Sequence, residues 1–299
     1  MRLSTVTNLF MEYENSAAHP DRDTKVPFEE SMKRCLEIGF TVQDASVSDS
    51  GDNKNHPLNN DGWERWIDHI GNLKEKLGIQ LDSAHLPFFY VEDPRFRDPE
   101  KRAFVERAKY RSIQACGAWG VKWAVEHITH NREDAGFMPL IKKKSLEYTA
   151  PFIEAAAKAN VGIAFENMVP TPKVSVRYMV TAWELIDFVE SIKASNVGIC
   201  WDFGHANLVY TEQTKPLRQL GKWLKATHVH DNWGKEDVHM VPFVGNIKWE
   251  PIMKILTEIG YKSNFTLELG PYNWGKPDYI QTMHAQHAYK TGEYLLSLA

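Results

Sequence analysis

Cysteine is scarce in this sequence. Among the 299 residues there are three cysteines, Cys35, Cys116 and Cys200, which lie far apart and form no CxxC pair. A disulfide framework is therefore not expected, because such frameworks need an even set of closely spaced cysteines. Unpaired thiols suit a reducing compartment, so we expect the protein to be cytoplasmic.

Long apolar runs and an excess of basic residues are also missing. The first residues reach Glu12 and Glu14 without the apolar segment of a signal peptide, and no later run is long enough to cross a bilayer. The formal net charge is -4. Neither a nucleic acid nor a membrane is therefore an expected partner.

Short β-prone segments alternate with amphipathic helical segments along the whole chain. Strands are predicted at 2–6, 41–45, 80–84, 122–126, 162–165, 198–201, 226–229 and 266–269. Helices are predicted at 28–38, 63–77, 102–116, 146–159, 182–192, 214–221, 251–259 and 279–298. This order is typical of a parallel sheet covered by helices. No composition break divides it, so residues 1–299 are expected to form one domain.

The loops favour a barrel over an open sheet. Helix-to-strand links are short and carry glycine, as at Gly39, Gly78 and Gly260, whereas several strand-to-helix links are long and polar. In a (β/α)8 barrel the site lies on the face made by the strand-to-helix loops, where length varies freely. A doubly wound sheet is the structural alternative, but no GxGxxG or GxxxxGK[ST] motif follows a predicted strand. The sequence therefore predicts a single-domain (β/α)8 TIM barrel of the α/β class.

Six consecutive predicted strands end in a histidine or a carboxylate. The residues at these ends are His85, Glu126-His127, Glu166, Asp202, His228 and Glu268. In a barrel these groups converge on one rim, where they would repel one another or stay poorly solvated without a cation. The pattern therefore predicts a divalent metal. We expect Mn²⁺, and Mg²⁺, Co²⁺ and Zn²⁺ also suit mixed carboxylate and imidazole ligands.

The sequence around these strand ends resembles the xylose isomerase-like superfamily of sugar and sugar-phosphate isomerases and epimerases. The resemblance rests on the segments SAHLPF, VEHITH, GIAFENM, GICWDFGHANL, ATHVHDNWGKEDVHMVPFVGNIKW and FTLELG, which cover nearly the whole barrel in order. In D-tagatose 3-epimerase-like members the metal ligands come from strands five to eight. By motif, these ligands fall on Glu166, Asp202, His228 and Glu268.

The resemblance also implies a reaction. It implies that Glu166 and Glu268 are a proton-transfer pair, which acts alpha to a metal-bound carbonyl of a sugar or polyol ketone through an enediolate. His85, His127, His205, Asp237, His239 and Trp233 are expected to bind the substrate. No glycine-rich phosphate cradle is visible, which favours a substrate without phosphate. A homo-oligomer is possible in this group.

Two other functions stay open. Gly234 stands where epimerases of this group often carry an arginine, so a lyase or dehydratase acting on a keto-sugar, including cleavage of 3-keto C-glycosides, is an alternative. The superfamily also contains endonuclease IV, a trinuclear zinc enzyme of DNA repair. Its nine ligands can be laid on His85, His127, Glu166, Asp202, His205, His228, Asp237, His239 and Glu268. The strand-to-helix loops are not basic, however, which argues against a DNA substrate.

Overall fold

Eight parallel strands close into a barrel in sequence order, from β1 next to β2 round to β8 next to β1. The computed structural model describes residues 1–11, 26–89, 94–129, 138–170 and 178–299. The strands are β1 (Arg2–Val6), β2 (Val42–Ser46), β3 (Gln80–His85), β4 (Trp123–Glu126), β5 (Gly162–Glu166), β6 (Val197–Asp202), β7 (Leu224–Val229) and β8 (Asn264–Leu267). The prediction of a single-domain (β/α)8 barrel is confirmed.

Helices cover the outside of the barrel, and each predicted helix is present. They are α1 (Phe28–Ile38), α2 (Trp63–Leu77), α3 (Pro94–Arg97), α4 (Pro99–Trp119), α5 (Met138–Lys158), α6 (Ala182–Ser191), α7 (Phe203–Asn207), α8 (Thr214–Leu220), α9 (Trp249–Glu258), α10 (Gly270–Asn273) and α11 (Asp278–Ser297). Among the described helices, none is long and apolar enough to cross a membrane.

The starts of α4 and α5 differ most from the prediction. The α4 helix begins three residues before position 102, at Pro99, because the Asp98 side chain accepts hydrogen bonds from the backbone N–H groups of Glu100 and Lys101. The α5 helix begins at Met138 rather than at position 146, and it contains Pro151. Local capping therefore lengthens α4 beyond its amphipathic stretch.

The glycine-marked links between helices and strands form tight turns. Gly78, directly after α2, has a φ angle of 70°, and Gly260, shortly after α9, has a φ angle of 72°. Backbone in this left-handed region disfavours residues with a Cβ. The chain thus reverses in a few residues at the amino-terminal side of the barrel, and the long connections that the structure describes in full, 47–62 and 230–248, start at the opposite rim.

The hydrophobic core has an outer and an inner part. The outer part fills the space between strands and helices and includes Phe165, Trp201 and Phe265, which are at most 1% exposed. The inner part is a small separate cluster of Val125, Ala164, Cys200 and Ala226, and the partly buried Trp123 packs against it. Because side chains alternate along a strand, the residue two positions beyond each of these four points toward the same inner side, closer to the rim.

Candidate metal centre and active site

Four strands deliver the residues that were predicted as metal ligands. Glu166 and Asp202 are the last residues of β5 and β6, His228 lies near the end of β7, and Glu268 directly follows β8. One ligand atom from each of the four lies within 4.8 Å of the others. Glu166, Asp202 and His228 are at most 1% exposed. The four predicted residues are therefore together at the carboxyl-terminal rim.

This donor set fits a divalent cation. Three carboxylates and one imidazole are crowded into a site that is almost closed to solvent. Oxygen and imidazole donors in this ratio suit Mn²⁺, Zn²⁺ and similar ions, and a cation offsets the cost of burying several carboxylates together. Glu166, Asp202, His228 and Glu268 could hold such an ion.

Two further histidines lie next to Glu166: His85, the last residue of β3, and His127, which directly follows β4. Nε2 of His127 lies 2.9 Å from Oε2 of Glu166, and Nε2 of His85 lies 3.1 Å from that of His127. Nδ1 of His228 lies 3.1 Å from the other carboxylate oxygen, Oε1 of Glu166. Both oxygens of the Glu166 carboxylate are thus contacted by imidazole nitrogens, which fix the plane of this side chain.

A second group of polar side chains comes from α7 and the loop after β7. Nε2 of His205 lies 3.2 Å from Oδ2 of Asp237, and Nε2 of His239 lies 3.4 Å from the same oxygen. Nδ1 of His239 lies 2.8 Å from the backbone carbonyl oxygen of Glu268. His239 has a φ angle of 48°, in the left-handed region that is uncommon for residues other than glycine. The structure therefore brings Asp237 and His239 back to the rim, beside Glu268.

Mutual charge keeps this site ionised. Burial raises the pKa of Glu166, but His228 and His127 outweigh this effect and hold that pKa well below its usual range. Burial also raises the pKa of Asp202, and His205 with a neighbouring histidine lowers it below the usual range. The pKa of His205 moves the opposite way: burial lowers it, and the surrounding carboxylates raise it well above the usual range. Protons on histidines therefore balance the carboxylates, and a bound cation would displace them.

Asp231 organises the loop that carries Asp237 and His239. Its Oδ2 accepts hydrogen bonds from the backbone N–H of Phe243 and from Nε1 of Trp249, both at 2.9 Å. Its Oδ1 accepts the backbone N–H of Asn232 at 2.9 Å and that of a second loop residue at 3.2 Å. Asp231 is completely buried. One carboxylate thus anchors both ends of the loop from β7 to α9.

Sequence reasoning missed two residues that hold the site, Asn167 and His230. The Asn167 side chain accepts the backbone N–H of Asp202 at 2.7 Å and donates to its carbonyl oxygen at 2.9 Å, which ties the ends of β5 and β6 together. Nε2 of His230 lies 3.0 Å from Oδ2 of Asp202. For His230 a signal was present, because its position two residues after His228 places both on one face of an extended segment.

A cavity of about 310 Å³ opens above these groups. This volume is at the lower end of the range for small-molecule sites. It is lined by Asn8, Ser46, Ser48, His85, Phe88, His127, Glu166, Met168, Val169, His205, Asp237, His239, Glu268, Pro271 and Trp274. Five of the six predicted substrate-binding residues therefore face one cavity, and both predicted catalytic glutamates face it with them.

The aromatic residues are divided between the cavity and other places. Phe88 and Trp274 line the cavity and form part of its apolar wall. Trp201 and Phe89 are buried in the outer core instead. Trp233 is 56% exposed and does not line this cavity, so its contact with a substrate stays a prediction.

Comparison with known proteins identifies the family. Residues 32–289 match the family described as the xylose isomerase-like TIM barrel. The chain belongs to this family. The uncharacterized protein MJ1311 of Methanocaldococcus jannaschii is 32% identical over 205 residues, which cover 68% of each chain. The resemblance inferred from the strand-end motifs is confirmed.

Two further relatives match over shorter stretches. The uncharacterized protein y4fM of Sinorhizobium fredii is 36% identical over 91 residues, which are 30% of this chain and 29% of that protein. A D-psicose 3-epimerase of Enterocloster bolteae is 32% identical over 88 residues, which are 29% of this chain and 28% of that protein. The matched part thus spans less than a third of either relative.

Solved structures with the same barrel match along the full length. A D-tagatose 3-epimerase-like protein has a TM-score of 0.73 and 19% identity, and the match covers 99% of this chain and 98% of that one. A structure of the IOLI protein with a binding zinc atom gives the same TM-score, identity and coverage. A D-psicose 3-epimerase from Clostridium cellulolyticum, solved with D-tagatose, has a TM-score of 0.73 and 17% identity, and covers 99% of both chains. At these identities the likeness establishes the fold.

Proposed function

We propose that this chain is a divalent-metal-dependent isomerase or epimerase that acts on a sugar or a related polyol ketone. The observation that carries the proposal is the pair Glu166 and Glu268. Both carboxylates line the same cavity. Each also contributes one oxygen to the set of four ligand atoms that lie within 4.8 Å of one another. Two carboxylates that share one small polar cavity can remove a proton and return it at another position.

Relatives support the choice of substrate class. The similar proteins include D-psicose 3-epimerases, one of them solved with D-tagatose, and both of these sugars are ketoses. The cavity carries several imidazole and carboxylate groups that can bind neighbouring hydroxyl groups, and two aromatic side chains, Phe88 and Trp274, also line it. This mixture of polar groups and apolar walls suits a small polyhydroxylated molecule.

The residues divide the chemistry between them. A divalent ion held by Glu166, Asp202, His228 and Glu268 would supply the positive charge that stabilises a developing enediolate. One of the two glutamates removes the proton alpha to the carbonyl, and the other protonates the neighbouring carbon or the opposite face. His127, whose Nε2 lies 2.9 Å from Oε2 of Glu166, holds this carboxylate in one orientation, and His85 contacts His127 in turn.

The metal is proposed to be Mn²⁺, with Mg²⁺, Co²⁺ and Zn²⁺ as alternatives. The zinc atom in the IOLI structure supports a divalent ion in this barrel type. Elemental analysis of protein purified without chelator should find about one divalent ion per chain. The identity of the ion that restores most activity to stripped protein then decides between the alternatives.

Solvent exchange tests the two-glutamate mechanism. With a ketose substrate in deuterated water, the wild type should incorporate deuterium at the carbon next to the carbonyl. Glu166→Gln and Glu268→Gln should each lose turnover by at least about 100-fold, because general acid–base catalysis contributes that much. One variant should retain exchange without forming product, and the other should do neither. Glu64→Gln, on the exposed face of α2, is the matched control and should behave as wild type.

Two results would change this assignment, one for the glutamates and one for the overall reaction. If both glutamine variants bind metal fully and keep near-normal turnover, Glu166 and Glu268 serve as ligands alone. If the product lacks the elements of water or is cleaved, the enzyme is a lyase or dehydratase that uses the same proton abstraction.

An endonuclease of the endonuclease IV type is the second candidate. The observation that favours it is that all nine positions of that ligand pattern lie in or directly beside the site: seven line the cavity, and Asp202 and His228 lie below it. Three zinc ions per chain together with cleavage at abasic sites in duplex DNA, with binding that weakens steeply as salt rises, would establish this function. One ion per chain and no binding to abasic duplex would leave the sugar enzyme.

A further inference from the structure

His230 lies directly beneath the site but has no place in the proposed chemistry. It is completely buried, and it is not among the residues that line the cavity. Its Nε2 lies 3.0 Å from Oδ2 of Asp202. Because the other oxygen, Oδ1, accepts the backbone N–H of His205 at 2.6 Å, both oxygens of Asp202 are already directed by hydrogen bonds.

Gly204 provides the space that the His230 ring occupies. A Cβ atom at position 204 would lie 1.9 Å from Cε1 and 2.2 Å from Nδ1 of His230, which is far inside van der Waals contact. Residue 204 lies in α7, one residue before His205. The histidine can therefore reach Asp202 only because the residue next to it in space is a glycine.

His239 holds the opposite face of the same ring. The two imidazoles are stacked with ring centroids 4.0 Å apart and an interplanar angle of 16°. His230 is thus held between Gly204 and His239, in a slot that fixes the direction of Nε2. A ring held on both faces has little freedom to turn away from Asp202.

We infer that His230 is a positioning residue for Asp202, which fixes this carboxylate in the orientation that the metal needs. The inference rests on the proposed function, in which Asp202 is a metal ligand. Groups that hydrogen-bond to a ligand orient it and raise its affinity, and their loss costs about 10- to 100-fold in metal binding. Gly204 and the His239 ring act through His230, by keeping it in place.

Metal affinity measured without substrate tests this role. The dissociation constant for Mn²⁺ is measured by competition with a chelator, and the visible spectrum is recorded for Co²⁺-loaded protein. His230→Ala should weaken binding by about 10- to 100-fold and change the Co²⁺ spectrum. His230→Gln keeps a side-chain N–H for Asp202 and should recover most of the affinity. His69→Gln, at an exposed position of α2, is the control.

A double substitution tests the slot itself. Gly204→Ala should weaken Mn²⁺ binding to about the same degree as His230→Ala, because its methyl group displaces the ring. In the His230→Ala background there is no ring to displace, so Gly204→Ala should then have little further effect. Independent effects that multiply in the double variant would refute the slot.

The outcomes separate a positioning role from a structural one. If His230→Ala lowers the melting temperature of the chelated protein but leaves the Mn²⁺ affinity and the Co²⁺ spectrum unchanged, His230 serves the fold alone and the inference is wrong. A wild type that binds no divalent ion would overturn it as well. A wild type that binds Mn²⁺ with the predicted variant effects, yet turns over no ketose, would refute the proposed function and leave this inference standing.

Discussion

Metal binding to Glu166, Asp202, His228 and Glu268 should raise the melting temperature. The size of the shift follows from the free energy of metal binding and from the unfolding entropy, which scales with chain length. At a free metal concentration of about 1,000 times Kd, binding to the folded state alone stabilises it by about 4 kcal/mol. Unfolding entropy is about 2.1 cal/mol/K per residue. For the 299 residues of this chain that is about 0.6 kcal/mol/K, so the shift should be about 6 to 7 °C.

Removing one ligand should reduce this shift in proportion to the lost affinity. Asp202 is completely buried among the other ligands, so Asp202→Ala removes a direct contact without exposing a face of the barrel. Each tenfold loss of affinity removes about 1.4 kcal/mol of stabilisation, or about 2 °C here. A 100-fold loss would therefore leave about 2 °C at the same metal concentration.

Differential scanning fluorimetry with and without chelator measures both shifts. Asp68→Ala on the exposed side of α2 is the matched control and should show the full wild-type shift. If Asp202→Ala and His228→Ala each show that full shift at the same free metal concentration, neither residue binds the ion, and the proposed ligand set is wrong.

Two further predictions concern ion pairs, one buried behind β4 and one in the site. Nζ of Lys109 lies 2.7 Å from Oε1 of Glu126, and both side chains are at most 3% exposed. Glu126→Gln leaves the lysine charge buried without its partner and should cost about 3 to 5 kcal/mol in chemical denaturation, whereas replacing both residues with apolar ones should cost much less. Burial lowers the pKa of His239, but Asp237 and nearby carboxylates raise it to about 9. Because this pKa lies above the ordinary 6.5, its contribution to the stability of the metal-free protein is complete below about pH 6.5 and is lost as pH rises through 9. Asp237→Asn should lower the pKa of His239 in an NMR titration, and an unchanged value would remove Asp237 as its cause.

The fold could be predicted closely because each element has a strong local signal. Predicted and observed strand ends differ by at most two residues, and the helix at Phe28–Ile38 has the predicted bounds. Buried parallel strands tend to be short apolar runs, and the helices α1, α2 and α9 show a clear amphipathic period. The short helices α7 and α10 could not be found this way, since each has at most five residues and no such period.

The site could be predicted in outline for a different reason. Barrel topology brings the carboxyl ends of all strands to one rim, so the position of a polar residue at a strand end can be predicted. What the pattern does not give is the path of a long loop. Trp233 is predicted to bind the substrate, but the hydrogen bonds that Asp231 accepts turn the loop so that Asp237 and His239 face the cavity. Trp233 is 56% exposed and lies outside the cavity lining.

The inner layer of the barrel explains why this rim can hold so many large polar groups. Three of the four predicted ligands follow a small residue two positions earlier on the same inward side, in the pairs Ala164 and Glu166, Cys200 and Asp202, and Ala226 and His228. A barrel of eight strands has an interior only wide enough for side chains to fill it, so a layer of small residues leaves room for the layer above to descend toward the axis. The carboxylates and imidazoles thereby become buried and mutually close, which is the condition that raises the cost of leaving them without a cation. The small residues at these inner positions are therefore what allows the large polar groups of the rim to pack close together.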